Sequence, residues 1–398
     1  MKKAFSVFFL TALAILTGCN NSDPDIIDIS GYESIDLSYK LKTDLPCINA
    51  EEAYNVEKYE LDWYEYNHGA PVAYDGECFY YIDYLAFDDD PMILSFNPAT
   101  KEEKGIIYYS ELEEGQQWLS INFTALYNSH FFFFVTVQPN EEYYFYDIDL
   151  AGGNTYCVKT DKLPGYTRAL AAYENCIYFG DSYTNDDSGE KTYIITEYNT
   201  DSKSFSTYKA NAKIPAVYKN GILYYHDGGL YYDGNEDVPG SGVIFNGDNM
   251  ILSVDEYFMK HFPFKDKIFY RYYSYDNTDY RIFGYYDEKL IRHDLAVSTV
   301  ISNQCEFSSD FVFAENADLM SFYLFGDFDE KPVIYDMKNN IFAAIEAENS
   351  HDHFYAFSDD NSIVLYLRGH YLEYDNYEND EYVNAQYYKI SRKSTENS

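Results

Sequence analysis

Two short sequence markers recur along this chain at the same spacing, and they constrain the fold more than any other feature. In the first marker, an alternating run ends in an aromatic or apolar residue, then Asp or Asn, then a turn. The marker residues are Asn97, Asp149, Asn199, Asn246, Asp294, Asp336 and, in a weaker copy, Ser391. Successive copies lie about 49 residues apart, a period typical of a solenoid, a propeller or an array.

The second marker is a short turn that follows an aromatic residue and precedes a strongly apolar strand. Copies include "AYDGECFYY", "VYKNGILYY" and "PFKDKIFYRYY". Between the markers each unit has a strand, a tight turn, a strand, a polar loop, a strand, a tight turn and a strand, with almost no helical periodicity. This pattern favours a β-propeller blade over a solenoid rung, which is shorter. The sequence therefore predicts an all-β propeller with seven four-stranded blades, six or eight being the alternatives.

The two ends of the chain predict how the ring closes. Only seven residues follow Ser391, too few for a turn and a complete outer strand. The segment "NVEKYELDWYEY", residues 55–66, precedes the first blade at about the offset of the other fourth strands. We expect it to pair with residues 387–390, which would close the ring and remove a free sheet edge.

Composition narrows the class of protein and of partner. Aromatic residues make up 20% of the chain, with 47 Tyr and 29 Phe, which excludes disorder and favours half-buried strands. The formal net charge of −39 repels nucleic acid and anionic lipid head groups, so neither is an expected partner. We expect a monomer.

The N-terminus resembles a bacterial lipoprotein signal, with a plain secretory signal as the alternative. Two lysines precede an apolar run from Ala4 to Leu16, and Leu16-Thr17-Gly18-Cys19 resembles the lipobox. The sequence predicts a signal peptide at residues 1–18, a lipidated Cys19, an acidic tether and lead-in at 19–50, and the propeller at 51–398. We expect an extracytoplasmic protein that contacts the membrane only through its lipid, at the outer membrane or cell surface if the cell has two membranes.

Three predicted second strands carry related sequences: Tyr80-Tyr81-Ile82-Asp83, Tyr178-Phe179-Gly180-Asp181 and Tyr224-Tyr225-His226-Asp227. They look like degenerate copies of the YWTD motif of receptor-type propellers. The chain thus resembles bacterial envelope lipoproteins with a Tyr-rich, YWTD-like propeller domain. This resemblance implies an architecture and a binding role, and no chemistry.

The stretch Gly180-Asp181-Ser182 also resembles the start of a GDS-type esterase motif. Its position matches Ile82-Asp83-Tyr84 and His226-Asp227-Gly228 of the other repeats, where no serine stands. The sequence also lacks a late Asp-x-x-His. We therefore interpret Ser182 as a strand residue and predict no catalytic residue.

Other candidates for chemistry are few. Asp233, Asn235 and Asp237 have the alternating oxygens of a calcium loop without the Gly and Glu of an EF-hand, so Ca²⁺ is the one cofactor we consider, in a looser site. His351 and His353 could ligate a transition metal or lie in solvent. Trp118, placed between blades 1 and 2, suits core packing or a sugar platform.

Cysteines give no disulfide framework. Besides Cys19 the chain has Cys47, Cys78, Cys157, Cys176 and Cys305, an odd number with no zinc-type spacing. We interpret them as mostly buried thiols.

The middle loops of the predicted blades are acidic and lie on one face of the ring. We call these loops the acidic crown, and its predicted binding face comprises Asp88, Asp90, Trp118, Asp187, Asp279, Asp329, His351, His353 and Asp380. The crown either keeps the protein soluble or attracts calcium or a cationic partner. The sequence therefore predicts a non-catalytic binding or scaffolding propeller for a protein or carbohydrate ligand. A propeller glycoside hydrolase or lyase acting on extracellular polysaccharide is the alternative.

Overall fold

The structure is a computed structural model, and almost all of its described residues are strands or turns. It describes residues 41–61, 70–83, 91–108, 117–138, 141–160, 170–184, 191–226, 230–233, 236–239, 242–246, 248–254, 260–273, 280–299, 306–307, 311–325, 330–345, 354–367, 370–371 and 382–393. Within these ranges no helix has the length and apolar character needed to cross a membrane.

The described chain begins with a segment that we call the strap, residues 41–61. It contains β1 (Leu41–Lys42), β2 (Cys47–Asn49), the short helix α1 (Ala50–Ala53) and β3 (Tyr54–Leu61). Asn49 caps α1 by accepting a hydrogen bond from the Glu51 backbone N–H.

Seven sheets then follow in chain order as blades 1 to 7. Blade 1 consists of β4 (Ala73–Tyr74), β5 (Phe79–Ile82), β6 (Pro91–Asn97) and β7 (Glu102–Tyr108). Blade 2 consists of β8 (Gln117–Tyr127), β9 (His130–Gln138), β10 (Glu142–Asp149) and β11 (Asn154–Thr160). Blade 3 consists of β12 (Leu170–Tyr173), β13 (Cys176–Thr184), β14 (Lys191–Asn199) and β15 (Ser204–Ala210).

Blade 4 carries an inserted hairpin between its second and third strands. Its strands are β16 (Ile214–Tyr218), β17 (Gly221–His226), the hairpin β18 (Leu230–Asp233) and β19 (Glu236–Pro239), then β20 (Gly242–Asn246) and β21 (Asn249–Val254). Blade 5 consists of β22 (Lys260–Phe264), β23 (Lys267–Tyr273), β24 (Tyr280–Tyr286) and β25 (Arg292–Thr299).

The first strand of blade 6 is split in two. Its strands are β26 (Glu306–Phe307), β27 (Val312–Ala314), β28 (Leu319–Phe325), β29 (Glu330–Asp336) and β30 (Ile341–Ala344). Blade 7 contains β31 (Phe354–Ser358), β32 (Ser362–Leu367), the hairpin β33 (His370–Tyr371) and β34 (Tyr382–Val383), and β35 (Ala385–Arg392). The predicted seven-bladed propeller is confirmed.

The strap closes the ring and covers the outer rim of three consecutive blades. β1 pairs antiparallel with β25 of blade 5, and β2 pairs parallel with β30 of blade 6. β3 then pairs along its whole length with β35 and becomes the fourth strand of blade 7. The predicted closure by the N-terminal strand is therefore confirmed, whereas the parallel pairing on blade 6 had no sequence signal.

The first marker has a simple physical basis in the turn between the third and fourth strands. The Asn97 Oδ1 accepts hydrogen bonds from the backbone N–H groups of Ala99 and Thr100. Asp149 binds the N–H groups two and three residues later in the same way. An Asx side chain that satisfies two turn amides fixes the turn, which explains why Asp or Asn recurs there.

In blade 5 the predicted marker is wrong by seven residues. Asp294 lies within β25, while the turn is capped by Asp287, whose Oδ1 accepts from the Lys289 and Ile291 N–H groups. Tyr286-Asp287 has the aromatic–Asp order of the first marker. Charged residues follow it instead of the small residues typical of the other turns, so the sequence pattern did not identify this turn.

The aromatic run of β9 shows how the core is built. Phe131 and Phe133 pack toward blade 1, and Phe132 and Phe134 pack toward blade 3, all at 3% exposure or less. Because strand side chains alternate between the two faces, a blade between two neighbours needs apolar residues at every position. The core therefore lies between the blades.

Two buried carboxylates join neighbouring blades. Asp147 of blade 2 accepts hydrogen bonds from Tyr198 Oη and Lys203 Nζ of blade 3, both at 2.6 Å. Asp336 of blade 6 binds Arg392 through both carboxylate oxygens, at 2.8 and 2.9 Å, and accepts a 2.6 Å hydrogen bond from Tyr54. Both side chains are fully buried, so each charge depends on its partners.

The described cysteines, Cys47, Cys78, Cys157 and Cys176, are all free thiols. The expectation that most are buried is wrong, because Cys157 is exposed and the other three are half-buried. Cys157 lies on the outer strand β11, where every second position faces away from the neighbouring blade. Cys305 lies outside the described residues.

Candidate functional site

The first strands of blades 3 to 6 border a cavity in the described part of the central channel. The cavity has a volume of about 980 Å³ and is bounded by β12, β16, β22 and β27. One side of it is aromatic: Phe262 and Phe264 of blade 5 pack against Phe311 and Phe313 of blade 6. The ring centroids lie 4.2 Å apart for Phe262 and Phe311, and 4.4 Å apart for Phe264 and Phe313. We call these four residues the aromatic wall.

The aromatic wall is half-buried, unlike the fully buried phenylalanines between the blades. The first strands face the channel on one side and the neighbouring blade on the other, so these rings retain a partly accessible surface. Accessible aromatic surface inside a concave, preformed cavity is typical of a binding site.

One end of the channel is formed by the turns between the first and second strands, and we call it the turn-side mouth. Its residues are Tyr127, Glu174, Lys219, Lys265, Glu315 and Asp360. Neighbouring turns are tied together around this mouth. The Lys219 N–H donates to the Lys265 carbonyl at 2.7 Å, Lys265 Nζ donates to the Glu315 carbonyl at 2.7 Å, and the Asn316 N–H donates to the Asp360 carbonyl at 2.6 Å. Blades 4 to 7 therefore form a continuous hydrogen-bonded arc.

Three mouth residues adopt a backbone conformation that glycine would adopt more easily. Glu174, Lys219 and Lys265 have φ of 53°, 53° and 52°. Residues with a Cβ are uncommon in this left-handed region, and here they occur in tight turns elsewhere in the ring as well, for example at Lys101 and Lys203. The Lys265 side chain links blades 5 and 6, because its ammonium binds both the Glu315 carbonyl and the Asp318 carboxylate of blade 6.

The electrostatics of the mouth converge on Tyr127. Burial raises the pKa of its hydroxyl, Asn128 lowers it, and the charges of Glu315, Glu174 and Asp360 raise it further. These carboxylates come from blades 6, 3 and 7, so acids of three other blades affect the pKa of a tyrosine of blade 2. Lys219 lies 5.2 Å from the centroid of the Tyr218 ring. The mouth thus combines aromatic rings with a majority of acidic groups.

A second cavity, of about 880 Å³, opens beside the mouth between the turns of blades 7, 1 and 2, and Tyr127 borders both cavities. Lys389 crosses it, donating to the Gly76 carbonyl at 2.9 Å and lying 3.3 Å from Asp359. Burial raises the pKa of Asp359, but hydrogen bonds from Ser362 and Asn361 and the Lys389 charge outweigh it, so the pKa lies below its ordinary value.

Most of the predicted binding face lies outside the described residues, namely Asp88, Asp90, Asp187, Asp279, Asp329, His351, His353 and Asp380, as does Cys19. Trp118 is described by its backbone alone. It lies in β8, opposite Val137, so it belongs to the first strand of blade 2 and the predicted position between blades is wrong.

The predicted calcium loop forms the tip of the β18–β19 hairpin. Asp233 pairs with Glu236 and Asp237 pairs with Tyr232, while Asn235 lies outside the described residues. Across the described ranges no group of three or more His, Cys, Asp or Glu residues is arranged to hold a metal ion.

Ser182 lies in the second strand of blade 3, opposite Tyr193, as the repeat alignment predicts. A nucleophile elbow requires a sharp turn between a strand and a helix, and the backbone here is a regular antiparallel strand. Gly180 has its own explanation: a Cβ there would overlap the backbone carbonyl oxygen of Lys213, which enters blade 4.

No known protein family matches the sequence, and no curated protein matches it. Several solved structures are similar in fold. A prolyl endopeptidase structure has a TM-score of 0.49 at 9% identity, over 84% of this chain and 50% of that one, so the chain spans about half of its length. An uncharacterized protein from Listeria monocytogenes has a TM-score of 0.49 at 10% identity, over 81% and 94% of the two chains.

The β-propeller domain of the Trilobed protease from Pyrococcus furiosus has a TM-score of 0.46 at 11% identity, over 78% of this chain and 89% of that one. Likeness at such identities concerns the fold alone. Fold and site together define this chain as a seven-bladed β-propeller with an aromatic, acid-rimmed central channel.

Proposed function

We propose that this chain is a non-catalytic binding or scaffolding propeller that works outside the cytoplasm and takes its ligand at the turn-side mouth. The observation that carries this proposal is the half-buried aromatic wall inside the cavity of about 980 Å³. Such a wall contributes binding energy through stacking and desolvation and requires no reactive group.

The charge of the mouth favours one class of ligand. The charges of Glu174, Glu315 and Asp360 raise the pKa of Tyr127 at the mouth, and the whole chain carries a formal charge of −39. Both features attract cations and repel anions. The best fit is an extended protein segment that carries Lys or Arg beside an aromatic residue, since guanidinium and ammonium groups bind both carboxylates and ring faces. A neutral carbohydrate stacked on the wall is the other ligand class.

We also propose the acidic crown as a second site for a cationic partner, because acids recur in every predicted middle loop of the sequence with few bases beside them. The lipid anchor at Cys19 belongs to the same proposal. Replacing Cys19 by Ala should move the protein from the membrane fraction to the soluble fraction of its host.

Binding is tested with the soluble form lacking residues 1–19. Calorimetry with a peptide of alternating Lys and Tyr, at low salt and at physiological salt, is run beside a glycan array. We expect the peptide to bind and to weaken as the screening length shortens to about 8 Å, whereas stacking of a neutral sugar would barely respond to salt.

The aromatic wall is tested by Phe264→Ser, with Ile291→Ser as the matched control, because Ile291 is 54% exposed and far from the channel wall in the sheet order. We expect Phe264→Ser to weaken binding about tenfold or more and the control to leave it unchanged. Equal affinity of both variants, or no binding of peptide and glycans alike, would contradict the proposal.

A further inference from the structure

The outer rim of the ring is covered unevenly. The strap lies on blades 5, 6 and 7, and where β2 covers β30 every residue of that outer strand is buried. The corresponding strand of blade 3, β15, is exposed at six of its seven positions. β15 also pairs regularly with β14, without a bulge, and no other strand of the described ranges pairs with its outward edge.

Exposed apolar side chains mark the same part of the rim. Among the described residues, the large hydrophobic side chains with the greatest exposure are Phe205 and Tyr208 on β15, Met250 on β21, and Ile291 next to β25, at 36%, 37%, 58% and 54%. They lie on the outer edges of blades 3, 4 and 5. Because β1 already pairs with the edge of blade 5, the exposed apolar side chains on edges that the described strap does not reach are Phe205, Tyr208 and Met250.

The described strap shows how the rim is covered. It reaches blade 5 at Leu41, blade 6 at Cys47 and blade 7 at Tyr54, so it advances by one blade every six or seven residues. Followed toward the N-terminus, the next edges in this series are β21 of blade 4 and then β15 of blade 3.

The preceding sequence contains two copies of one short pattern at a matching spacing. Residues 27–30 read Ile-Asp-Ile-Ser and residues 35–38 read Ile-Asp-Leu-Ser. Each copy alternates apolar and polar residues, which is the pattern of a half-buried strand. The second copy begins six residues before Leu41, and the first begins eight residues before the second.

Charge is complementary between the two parts. Residues 20–40 contain five acids and one lysine, whereas β15 contains a lysine and no acid. Lys209 stands on the exposed edge strand itself. In a chain with more than twice as many acids as bases, an edge strand with a lysine and no acid favours an acidic segment beside it.

We propose that residues 26–38 extend the strap, with residues 35–38 adding an edge strand to β21 and residues 27–30 adding one to β15. The occupant of this rim is thus the chain's own N-terminal segment, and the acidic lead-in is part of the fold. This proposal is independent of the ligand proposed for the turn-side mouth.

Hydrogen–deuterium exchange on the full chain tests it, with β11 of blade 2 as the internal reference, because the extended strap does not reach that edge. We expect the outward amides of β15 and β21 to exchange about tenfold or more slowly than those of β11. Ile27→Ser with Ile29→Ser should release β15 alone, and Ile35→Ser with Leu37→Ser should release β21. Exchange of β15 as fast as β11 in the unsubstituted chain would overturn the proposal.

Zero-length carbodiimide crosslinking provides a readout that does not depend on the variants folding well. We expect a crosslink from Lys209 to an acid within residues 23–36 of the same chain, lost in Lys209→Arg. If the crosslink joins two chains, or if protection of β15 rises with protein concentration, a second copy occupies the edge and the proposal is wrong.

Discussion

Tyr59 lies directly opposite Tyr387, with their rings stacked at a centroid distance of 4.9 Å, so residues from the two ends of the chain meet in one sheet. β3 lines up with β35 over eight consecutive residue pairs, from Tyr54 with Arg392 to Leu61 with Ala385. The blade that joins the ends of the chain therefore depends on both of them, and its lateral anchor to blade 6 is the carboxylate of Asp336.

Replacing Asp336 by Asn should destabilise the protein strongly. The change leaves the Arg392 guanidinium with its charge uncompensated in a site where the Asp336 side chain is fully buried. Breaking a buried pair from one side costs about 3–5 kcal/mol. The free energy of unfolding in guanidinium chloride measures it.

The matched control is Asp294→Asn. Asp294 pairs with Arg292 and accepts a hydrogen bond from the Tyr270 hydroxyl, which Asn can also accept, and its side chain is 46% exposed. We expect this change to cost about 1 kcal/mol or less, as for other solvent-exposed pairs. Similar losses for Asp336→Asn and Asp294→Asn would show that the buried carboxylate does not anchor the closing blade.

The same carboxylate predicts a pH dependence. Burial raises the pKa of Asp336, but hydrogen bonds from Arg392 and Tyr54 and the Arg392 charge outweigh it, so its pKa in the folded state lies below the ordinary value. Its stabilising contribution is therefore complete above about pH 4, the unfolded pKa, and is lost as the pH falls toward the folded pKa.

Acid also relieves the repulsion within a chain of charge −39, an effect of opposite sign. To separate these two effects, the free energy of unfolding is measured from pH 2 to 7 for the unsubstituted chain and for Asp336→Asn. The difference between the two proteins reports the Asp336 contribution, because both carry nearly the same overall repulsion. We expect this difference to be constant above about pH 4 and to shrink below it. A difference that stays constant down to pH 2 would contradict the assignment.

The sequence predicted the parts of the fold that depend on local chemistry. Asn97 and Asp149 are turn caps that satisfy amides two and three residues away, so their period reports the blades directly. The end closure followed from counting the residues after Ser391. The pairing of Ile48 with Ala343 was not predictable in this way, because a two- or three-residue parallel contact depends on where the rim lies.

The candidate site could not be predicted from the sequence, for a related reason. Phe264 and Phe313 belong to ordinary apolar strands in sequence, and only their position on first strands exposes them to the channel. Glu174 and Lys219 sit in the turns of the second marker, yet their positive φ has no signature in residues other than glycine and asparagine. The site predicted from the sequence was chosen by its charged residues, which concentrate in loops, so it fell on the middle loops instead of the channel.

Replacing Gly180 by Ala should destabilise the protein, because the new methyl group would overlap the Lys213 carbonyl oxygen, a backbone atom that cannot rotate away. Overpacking of this kind typically costs about 1–3 kcal/mol. Gly221→Ala is the control, since a Cβ there meets nothing within 4 Å. We expect the control to be neutral or slightly stabilising in thermal unfolding. Equal melting temperatures for both variants would contradict the close approach of blades 3 and 4.

Calcium binding at the tip of the β18–β19 hairpin should depend unequally on its two aspartates. The backbone register pairs Asp233 with another acid, Glu236, whereas Asp237 belongs to the next pair of the ladder, with Tyr232. Calcium prefers several oxygen ligands converging on one point. We therefore expect Asp233→Asn to abolish calcium heats in calorimetry at low salt, and Asp237→Asn to weaken them less. Equal losses in the two variants would contradict this difference between the aspartates, and unchanged calcium heats in both would remove the hairpin as a cation site.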